Sequence, residues 1–479
     1  MKKKQGAMYE NTKTLVRSFE SFLEVIILSI IYYIIWKNGY DSGVFPAYAG
    51  GGKFVLMGIY GILVYVFFHN TEGFQFGNLR KMDLILAQGI ALCIINFITY
   101  FQLSLIANRL INPIPILILM LLDMVVALVL IVVYTRIYYS LYAPHQMIMI
   151  FGTEDAVSLK IKMDSRTDKY QVAKLMPVED GFEAICEEIV NYDAVVLNDV
   201  SAQMRNDILK FCYQNQIRVY VAPKVTDIMM RGARNISSFD TPLFLVKGTG
   251  LNIGQRAIKR TIDVLISLIV TVIALPILLL VALAIKVEDR GPVFYTQERV
   301  TRGGKVFKIL KFRSMIVDAE KDGLSIPATG GDPRITKVGR FIRATRIDEL
   351  PQILNILKGD MSIVGPRPER VEHVEKYSKE IPEFEYRLKV KGGLTGYAQI
   401  YGKYNTSAYD KLRLDMLYIE NYSVALDIKL ILLTLRVMLQ KESTEGFEVA
   451  KENQLKKDEI LKQLNQERKQ DGIELGEQK

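Results

Sequence analysis

Apolar residues gather in the first third of the chain into four long runs, roughly Phe19–Trp36, Phe54–Phe68, Leu84–Ile106 and Ile114–Tyr139. Each is long enough, or nearly so, to span a hydrocarbon core of about 30 Å, so the pattern predicts four transmembrane helices over 19–140. Beyond them the period shortens. Met147-Ile-Met-Ile-Phe151, Ala194-Val-Val-Leu197 and Arg218-Val-Tyr-Val221 read as buried strands, with helical segments near 154–164, 182–191 and 201–214. Strands alternating with helices predict a small doubly wound α/β domain over 147–247. A fifth apolar run, Ile262–Ile285, is interrupted by Pro276. Further on, Leu350, Ile353, Leu354 and Leu357 repeat at helical spacing. The stretch Leu412–Leu439 is amphipathic and fits a membrane face or an ordinary core equally. From Gln440 the chain turns to Lys, Glu, Gln and Asn, which predicts a solvated, partly helical tail over 441–479.

Composition agrees with this division. With 479 residues, 50% hydrophobic and 24% charged, the chain is too long for one domain and too apolar for a wholly water-soluble one. Basic residues then orient it. Lys2, Lys3, Lys4, Lys13 and Arg17 precede the first span and Arg80 with Lys81 follow the second, whereas the 38–53 loop offers Lys53 beside Asp41 and the 107–113 loop Arg109. Residues 1–18 and everything after about Arg136 are therefore expected in the cytoplasm. Phe19–Trp36 is not expected to be a cleaved signal, because Tyr32, Tyr33 and Trp36 mark an interfacial belt. Around the fifth run both flanks are basic, from Arg256, Lys259 and Arg260 to Lys286 and Arg290. Pro276 removes a helical hydrogen bond, so a re-entrant helix over 262–285, broken at Pro276, is expected in place of a crossing. Cys93, Cys186 and Cys212 are isolated, which excludes a cysteine zinc site and suggests core packing.

Candidate chemistry lies elsewhere. After the first strand the run Gly152-Thr-Glu-Asp-Ala-Val lacks the glycines that a pyrophosphate needs, so no dinucleotide site is expected. Asp348 and Glu349 stand at the start of the 350–357 helical pattern, with Arg343, Arg346 and Arg367 to ring them. Two carboxylates at a helix N-terminus suit anions and metals, their ionised forms favoured by the dipole and the cations; equally, Asp348 is a simple N-cap with Pro351 in the first turn. Upstream, Val293–Val300, the turn Arg302-Gly-Gly304 and Val306–Arg313 predict a basic hairpin whose Lys308, Lys311 and Arg313 suit phosphates of a lipid or a nucleotide. A solvated basic face and nucleic acid are the competing readings, and a net charge of +9 on a membrane-anchored chain favours anionic lipid. His69, His145 and His373 stand outside these motifs.

Taken in order, the proline-broken apolar run, Gly291-Pro-Val-Phe-Tyr-Thr-Gln-Glu-Arg299, Phe307-Lys-Ile-Leu-Lys-Phe-Arg-Ser-Met315, Asp348-Glu-Leu-Pro-Gln352, Lys358-Gly-Asp-Met-Ser-Ile-Val-Gly-Pro-Arg-Pro368 and Gly393-Leu-Thr-Gly-Tyr-Ala-Gln399 resemble the bacterial sugar transferases, the monotopic polyprenyl-phosphate phosphoglycosyl transferases. The resemblance covers about 255–440, and the four spans with a degenerate Rossmann-like domain resemble the family's long form. It implies a mostly helical catalytic domain on the cytoplasmic face of the bacterial inner membrane. It also implies transfer of a hexose 1-phosphate, glucose or galactose, from a UDP-sugar to undecaprenyl phosphate with release of UMP, at the start of capsule, exopolysaccharide or O-antigen assembly. By this resemblance Asp348 is the nucleophile that carries the phosphosugar and Glu349 a Mg²⁺ ligand. Lys311 and Arg343 match positions the family uses near the site and are expected to be catalytic, and Arg367 matches one associated with nucleotide binding; Arg313 of the basic hairpin and Glu369 are expected beside Arg367 as substrate-binding residues. Membrane lipids and a homo-oligomer are compatible partners. Two departures stand out: Leu275-Pro276 where the family often has Ser-Pro, and Lys391-Gly-Gly393 in place of Lys-Pro-Gly, expected to loosen a turn near the substrate face. A glycosyltransferase that releases UDP and an inactive membrane scaffold are the alternatives.

Overall fold

A computed structural model describes residues 2–40, 51–317, 319, 332–402, 406–439 and 446–470; positions 41–50 of the expected 38–53 loop, and 440–445 and 471–479 at the tail, lie outside the described residues. The chain divides into two compact units, Met1–Ala222 with Asn453–Lys479, and Pro223–Glu452.

The first unit opens with α1 (Lys2–Tyr40), α2 (Gly52–Asn70), α3 (Lys81–Ile106) and α4 (Ile114–Leu141). Each is long and apolar enough to cross a membrane, the first over Thr12–Tyr40. Their inner faces bury Leu28, Trp36, Tyr60, Val64, Leu92 and Leu119, and Tyr32 stacks on Tyr60 with ring centroids 4.5 Å apart. Their outer faces present Phe54, Ile62, Phe97, Leu121 and Val125, while the inner faces also bury the polar side chains of Glu24, Gln88, Asn96 and Asp123. Since α1 starts at Lys2, no break separates the expected 1–18 segment from the span that follows. Cys93 is exposed on α3 and Cys186 half-buried, so of the three thiols only Cys212 is core.

After the helices come β1 (His145–Phe151), α5 (Asp155–Asp164), β2 (Tyr170–Pro177), α6 (Phe182–Ile189), β3 (Ala194–Asn198), α7 (Ala202–Gln214) and β4 (Arg218–Val221). They build a parallel sheet of order β2-β1-β3-β4, in which Met147 pairs with both Val172 and Ala194. β1 and β3 are buried nearly throughout, as expected of strands covered on both faces. β2 has no counterpart in the sequence reading: as an edge strand it needs little apolar surface, and Gln171 and Lys174 interrupt any run. Gly152 has a packing reason of its own, because a Cβ there would collide with the Asp199 carbonyl oxygen.

In the second unit α8 (Val225–Arg231) and the hairpin β5 (Arg234–Ile236) and β6 (Leu243–Leu245) lead into α9 (Ile253–Asp289). α8 thus falls outside the sheet unit that the 147–247 boundary assigned it to, since Val225 and Ile228 bury with Phe384, Leu412, Met416 and Leu433. α9 is started by a capping box between Asn252 and Gln255. It contains Pro276 without interruption of the helix, so the expected break does not divide it in two. Both of its ends are nonetheless tied to the same unit. Near the start, Arg260 donates to the carbonyls of Ile356 and Leu357 at 2.5 and 2.6 Å, and Asp263 accepts from Ser362 Oγ at 3.1 Å. At the end, Asp289 pairs with Arg313, and Val281 and Ile285 pack on Phe312 and Ile342.

The remaining elements are the hairpin of β7 (Phe294–Val300) and β8 (Val306–Phe312), α10 (Lys337–Ala344), a 3₁₀ turn (Ile347–Glu349), α11 (Gln352–Lys358), β9 (Ser362–Val364), α12 (Val371–Glu380), a 3₁₀ stretch (Pro382–Lys389), β10 (Gly393–Thr395), α13 (Tyr397–Tyr401), α14 (Ala408–Glu420), α15 (Val424–Met438) and α16 (Gly446–Gln470). The antiparallel hairpin matches the basic hairpin read from the sequence. In the amphipathic 412–439 stretch Leu412, Met416, Leu430 and Leu433 are core, whereas Ile428, Leu435 and Leu439 are exposed.

Candidate active site

The Asp348–Glu349 pair does not begin a helix. Both residues lie in the 3₁₀ turn between α10 and α11, and the N-cap of α11 is Pro351. The simple N-cap reading of Asp348 and the helix-dipole argument for its ionisation both fall with this. α11 itself buries Gln352, Ile353, Asn355 and Ile356, with Leu354 exposed, so its inner face is rotated from the 350/353/354/357 stripe expected. The turn is entered through Arg346, a non-glycine residue held in the left-handed region at φ 59°. Such a conformation costs of order 1 kcal/mol and persists only where the surroundings enforce it.

Those surroundings are built from three sides. Asn355 of α11 clamps β8: its Oδ1 accepts from Leu310 N–H at 2.9 Å and its Nδ2 donates to the Lys308 carbonyl at 2.8 Å. The strand so fixed carries Lys311, whose ammonium lies 2.8 Å from Glu349 Oε1. Arg367, after β9, places Nη2 3.1 Å from the same oxygen. Arg367 is anchored from behind, because the buried Arg387 donates to its carbonyl at 2.9 Å and is held by the buried Asp415 at 2.8 Å. Gly393 packs so closely on Gly365 that a Cβ would overlap the Gly365 nitrogen, and its N–H donates to the Pro366 carbonyl at 2.8 Å. Gly392, the residue that stands where the family has proline, donates its N–H to Thr301 Oγ1 at 3.1 Å, and a Cβ there would meet the Pro368 ring.

The two carboxylates differ in their electrostatics. Burial pushes Glu349 up, but Arg367 and Lys311 outweigh it and hold this carboxyl far below the usual range, so it is a fixed anion. Asp348 is displaced the other way: burial and the neighbouring Glu349 raise it, and Lys311, Arg343 and Arg346 offset this in part. No hydrogen bond within the described residues engages the Asp348 carboxylate. Lys311 is itself lowered by burial, with Glu349 acting against that.

Of the residues singled out from the sequence, Asp348, Glu349, Lys311, Arg343 and Arg367 are thus brought together. Arg313 is not. Its side chain is buried, both of its terminal nitrogens bind the Asp289 carboxylate, and Nε donates to the Pro292 carbonyl at 2.6 Å. It fastens the end of α9 to β8 and has no donor directed at the carboxylate pair. Glu369 is also taken up internally, 3.5 Å from Lys411 and 3.7 Å from His373 Nδ1, while its carbonyl accepts from Val300 N–H. Burial raises Glu369, but Lys411, Arg387 and Arg367 bring it below its ordinary value. Lys308 is exposed on the hairpin. Arg387, Asp415 and Asn355 had no place in the sequence reading. The available signal was Asp415 itself, a carboxylate between Leu412, Met416 and Ile419 on an apolar helix face.

Among the described residues no group of three or more His, Cys, Asp or Glu side chains gathers to hold a metal. The donors present fit Mg²⁺ in another way. Both cations on Glu349 contact Oε1, no hydrogen bond within the described residues uses Oε2, and Asp348 is the adjacent residue. Mg²⁺ is commonly held by one or two carboxylates with substrate phosphates and water completing the shell.

Comparison with known proteins agrees with this part of the chain. Residues 254–441 match the family model described as bacterial sugar transferase. A UDP-glucose:undecaprenyl-phosphate glucose-1-phosphate transferase of Caulobacter vibrioides is 43% identical over 191 residues, 39% of this chain and 71% of that protein. A UDP-N-acetylgalactosamine-undecaprenyl-phosphate N-acetylgalactosaminephosphotransferase of Aeromonas hydrophila is 44% identical over 185 residues, 38% of this chain and 44% of that protein. An undecaprenyl-phosphate galactose phosphotransferase of Salmonella typhimurium is 36% identical over 222 residues, 43% of this chain and 46% of that protein. The chain spans about half the length of most of the curated relatives it matches. It belongs to the bacterial sugar transferase family.

Proposed function

We propose that this protein transfers a hexose 1-phosphate from a UDP-sugar to undecaprenyl phosphate and releases UMP. The observation that carries the reading is the Asp348 carboxylate, engaged by no hydrogen bond within the described residues, beside a carboxylate fixed as an anion by Lys311 and Arg367. In the first step an Asp348 carboxylate oxygen attacks the β-phosphorus, the bond from that phosphorus to the bridging oxygen breaks, and UMP departs with the electron pair. In the second a phosphate oxygen of undecaprenyl phosphate attacks the same phosphorus, forming the lipid diphosphate sugar and restoring the carboxylate. An acyl phosphate is reactive enough to allow this second transfer. The raised Asp348 carboxyl marks an anion poorly stabilised by its surroundings, which suits a nucleophile. Arg367, with 43% of its side chain exposed, and Arg343 are in position to meet diphosphate charge. Mg²⁺, held by Glu349 and the substrate phosphates, would neutralise charge on the leaving group.

Both ends of α9 dock on the unit that carries Asp348, and this supports a helix that enters and leaves the membrane by one face, with Pro276 at the bend. A straight crossing would place those ends on opposite sides. The reading accordingly has four spans, a cytoplasmic Rossmann-like domain that binds no dinucleotide, and a cytoplasmic catalytic domain on the inner membrane.

The test is incubation of the purified protein with undecaprenyl phosphate, Mg²⁺ and separate UDP-sugars, with UMP and UDP resolved. UMP release with at least one sugar is expected. UDP release makes the protein a glycosyltransferase, and no release with any sugar leaves a scaffold.

A further inference from the structure

Arg367 is carried by a segment that can fasten little by itself. Pro366 and Pro368 flank it, and neither has an N–H to offer, so the run 366–369 has to be fixed through its carbonyls. Each of those carbonyls is engaged. The Pro366 carbonyl accepts from Gly393 N–H at 2.8 Å and the Glu369 carbonyl from Val300 N–H at 3.0 Å. Between them, the Arg367 carbonyl accepts from Arg387 Nη2 at 2.9 Å and the Pro368 carbonyl from Arg299 Nη1 at 3.1 Å. The two guanidinia differ in setting. Arg387 is buried on Asp415 in the core, whereas Arg299 is half-buried on β7 and gives Nη2 to Gln297 Oε1, a neutral amide, at 2.7 Å.

The place of Arg299 ties this segment to the other cation of the site. β7 and β8 pair with Tyr295 opposite Lys311, Gln297 opposite Ile309 and Arg299 opposite Phe307. Directly opposed residues, and residues two apart along a strand, share a face, so Arg299 and Lys311 project from one face of one hairpin. From that face Lys311 reaches Glu349 Oε1 at 2.8 Å, and Arg367, held to the same hairpin through Pro368, reaches the same oxygen at 3.1 Å. The hairpin thus sets the spacing of the two cations. The tie is made against repulsion: burial, and after it the neighbouring Arg367, bring the Arg299 guanidinium down to about 10, with Glu369 acting the other way. A neutral side chain would hold a carbonyl without that cost. Arg367 itself, with 43% of its side chain exposed, ends a long and flexible stem, so where its backbone is fixed decides where its guanidinium can stand.

We infer that Arg299 is a positioning residue for Arg367: held on the hairpin face that carries Lys311, it fixes the segment 366–369 so that the Arg367 guanidinium is placed for the diphosphate of the nucleotide sugar. The inference rests on the transferase reading, within which it names what sets the affinity for the diphosphate. Arg299 acts through Arg367 and touches no reacting atom.

The full chain in nanodiscs is titrated with UDP and Mg²⁺ by calorimetry, which needs no turnover, and UMP release gives KM and kcat for the UDP-sugar on which the wild type is fastest. Arg299→Met should weaken UDP binding and raise KM by about tenfold, the order of one charge-assisted hydrogen bond, with kcat per folded molecule within about twofold of wild type. Arg299→Lys keeps the cation but loses the fork that spans the Pro368 carbonyl and Gln297, and should weaken binding by about threefold. It replaces the methionine variant in every comparison should that one not fold. The deciding variant combines Arg299→Met with Arg367→Met. Acting through Arg367, Arg299 should add nothing once that guanidinium is gone, so the double variant should bind UDP as Arg367→Met alone does. A further loss in the double variant would make Arg299 a separate ligand, and unchanged UDP binding in Arg299→Met, or a fall in kcat alone, would make it structural; each overturns the inference, as does a wild type that binds no UDP. If UDP binds and the double variant behaves as expected while no UDP-sugar yields UMP, the positioning stands and the transferase reading falls.

Discussion

Lys311 and Arg313 stand two residues apart at the end of one strand, and from sequence both are basic residues suited to phosphate. Their partners separate them. Lys311 meets Glu349 beside Asp348 and Arg367, in a cluster where no hydrogen bond within the described residues engages the Asp348 carboxylate and one guanidinium is 43% exposed. Arg313, 7% exposed, gives all its main donors to Asp289 and the Pro292 carbonyl and closes the end of α9. Similar ion-pair chemistry thus serves a reaction centre in one place and a fastening in the other. What distinguishes them is whether the surroundings leave a charged group without a partner.

The sharpest way to break this distinction is Asp348→Asn. UMP release should fall by about 10³-fold or more, since an amide cannot accept the phosphoryl group. The fold should be retained and slightly stabilised at neutral pH. A carboxyl raised in the folded state makes its ionised form a cost above that value, and the amide removes the cost. Activity near wild type would remove Asp348 from the reaction.

Next in size is Lys311→Met, for which about a 10²-fold loss of UMP release is expected, the usual effect of losing one preorganised cation at developing charge. Glu349 would keep Arg367, so the fold should survive the change. Unchanged turnover would make Lys311 a second fastening, and the contrast with Arg313 would disappear.

Much of this was legible in the sequence, for reasons that the exceptions expose. The four long apolar helices, β1 and β3 are continuous apolar runs and could be read directly, whereas β4, read as a buried strand, lies at the sheet edge and is only partly buried. The proximity of Asp348, Glu349, Lys311 and Arg367 was carried by the family resemblance, because partners 18 and 38 residues apart leave no periodic trace. The fate of Arg313 was illegible because Asp289 looks like any charge after an apolar run. The turn at Asp348 was misread as a helix start because Arg346 in the left-handed region has no sequence signature. The Arg387–Asp415 pair was missed because each half is unremarkable until the fold buries both.

Arg313→Ala sharpens the comparison from the other side. Removing one partner of a mostly buried pair leaves the other uncompensated, and with Asp289 29% exposed the loss should be about 2 kcal/mol. Thermal unfolding should move to lower temperature while UMP release per folded molecule stays near wild type. A large fall in turnover with an unshifted midpoint would return Arg313 to the substrate ligands.

The smallest effect is in acid, where the two regions should respond in a fixed order. The hydrogen bonds from Arg313 hold the Asp289 carboxyl down at about 2, against an ordinary 3.8. A depressed carboxyl contributes stability that is fully present above its unfolded value and lost as pH falls from about 4 toward 2. Partial exposure limits the contribution to about 1 kcal/mol. Asp348, raised above 3.8, takes up its proton before Asp289 does. Acidification should therefore remove UMP release first and the stability of the α9 fastening second. Unfolding by urea at a series of pH values checks this, with Asp289→Asn as the comparison: the variant should be less stable than wild type near neutrality and converge on it between about pH 4 and 2. Parallel curves would mean that the Asp289–Arg313 pair contributes nothing through its charge, and the fastening role would then rest on the packing of Val281 and Ile285 against Phe312 alone.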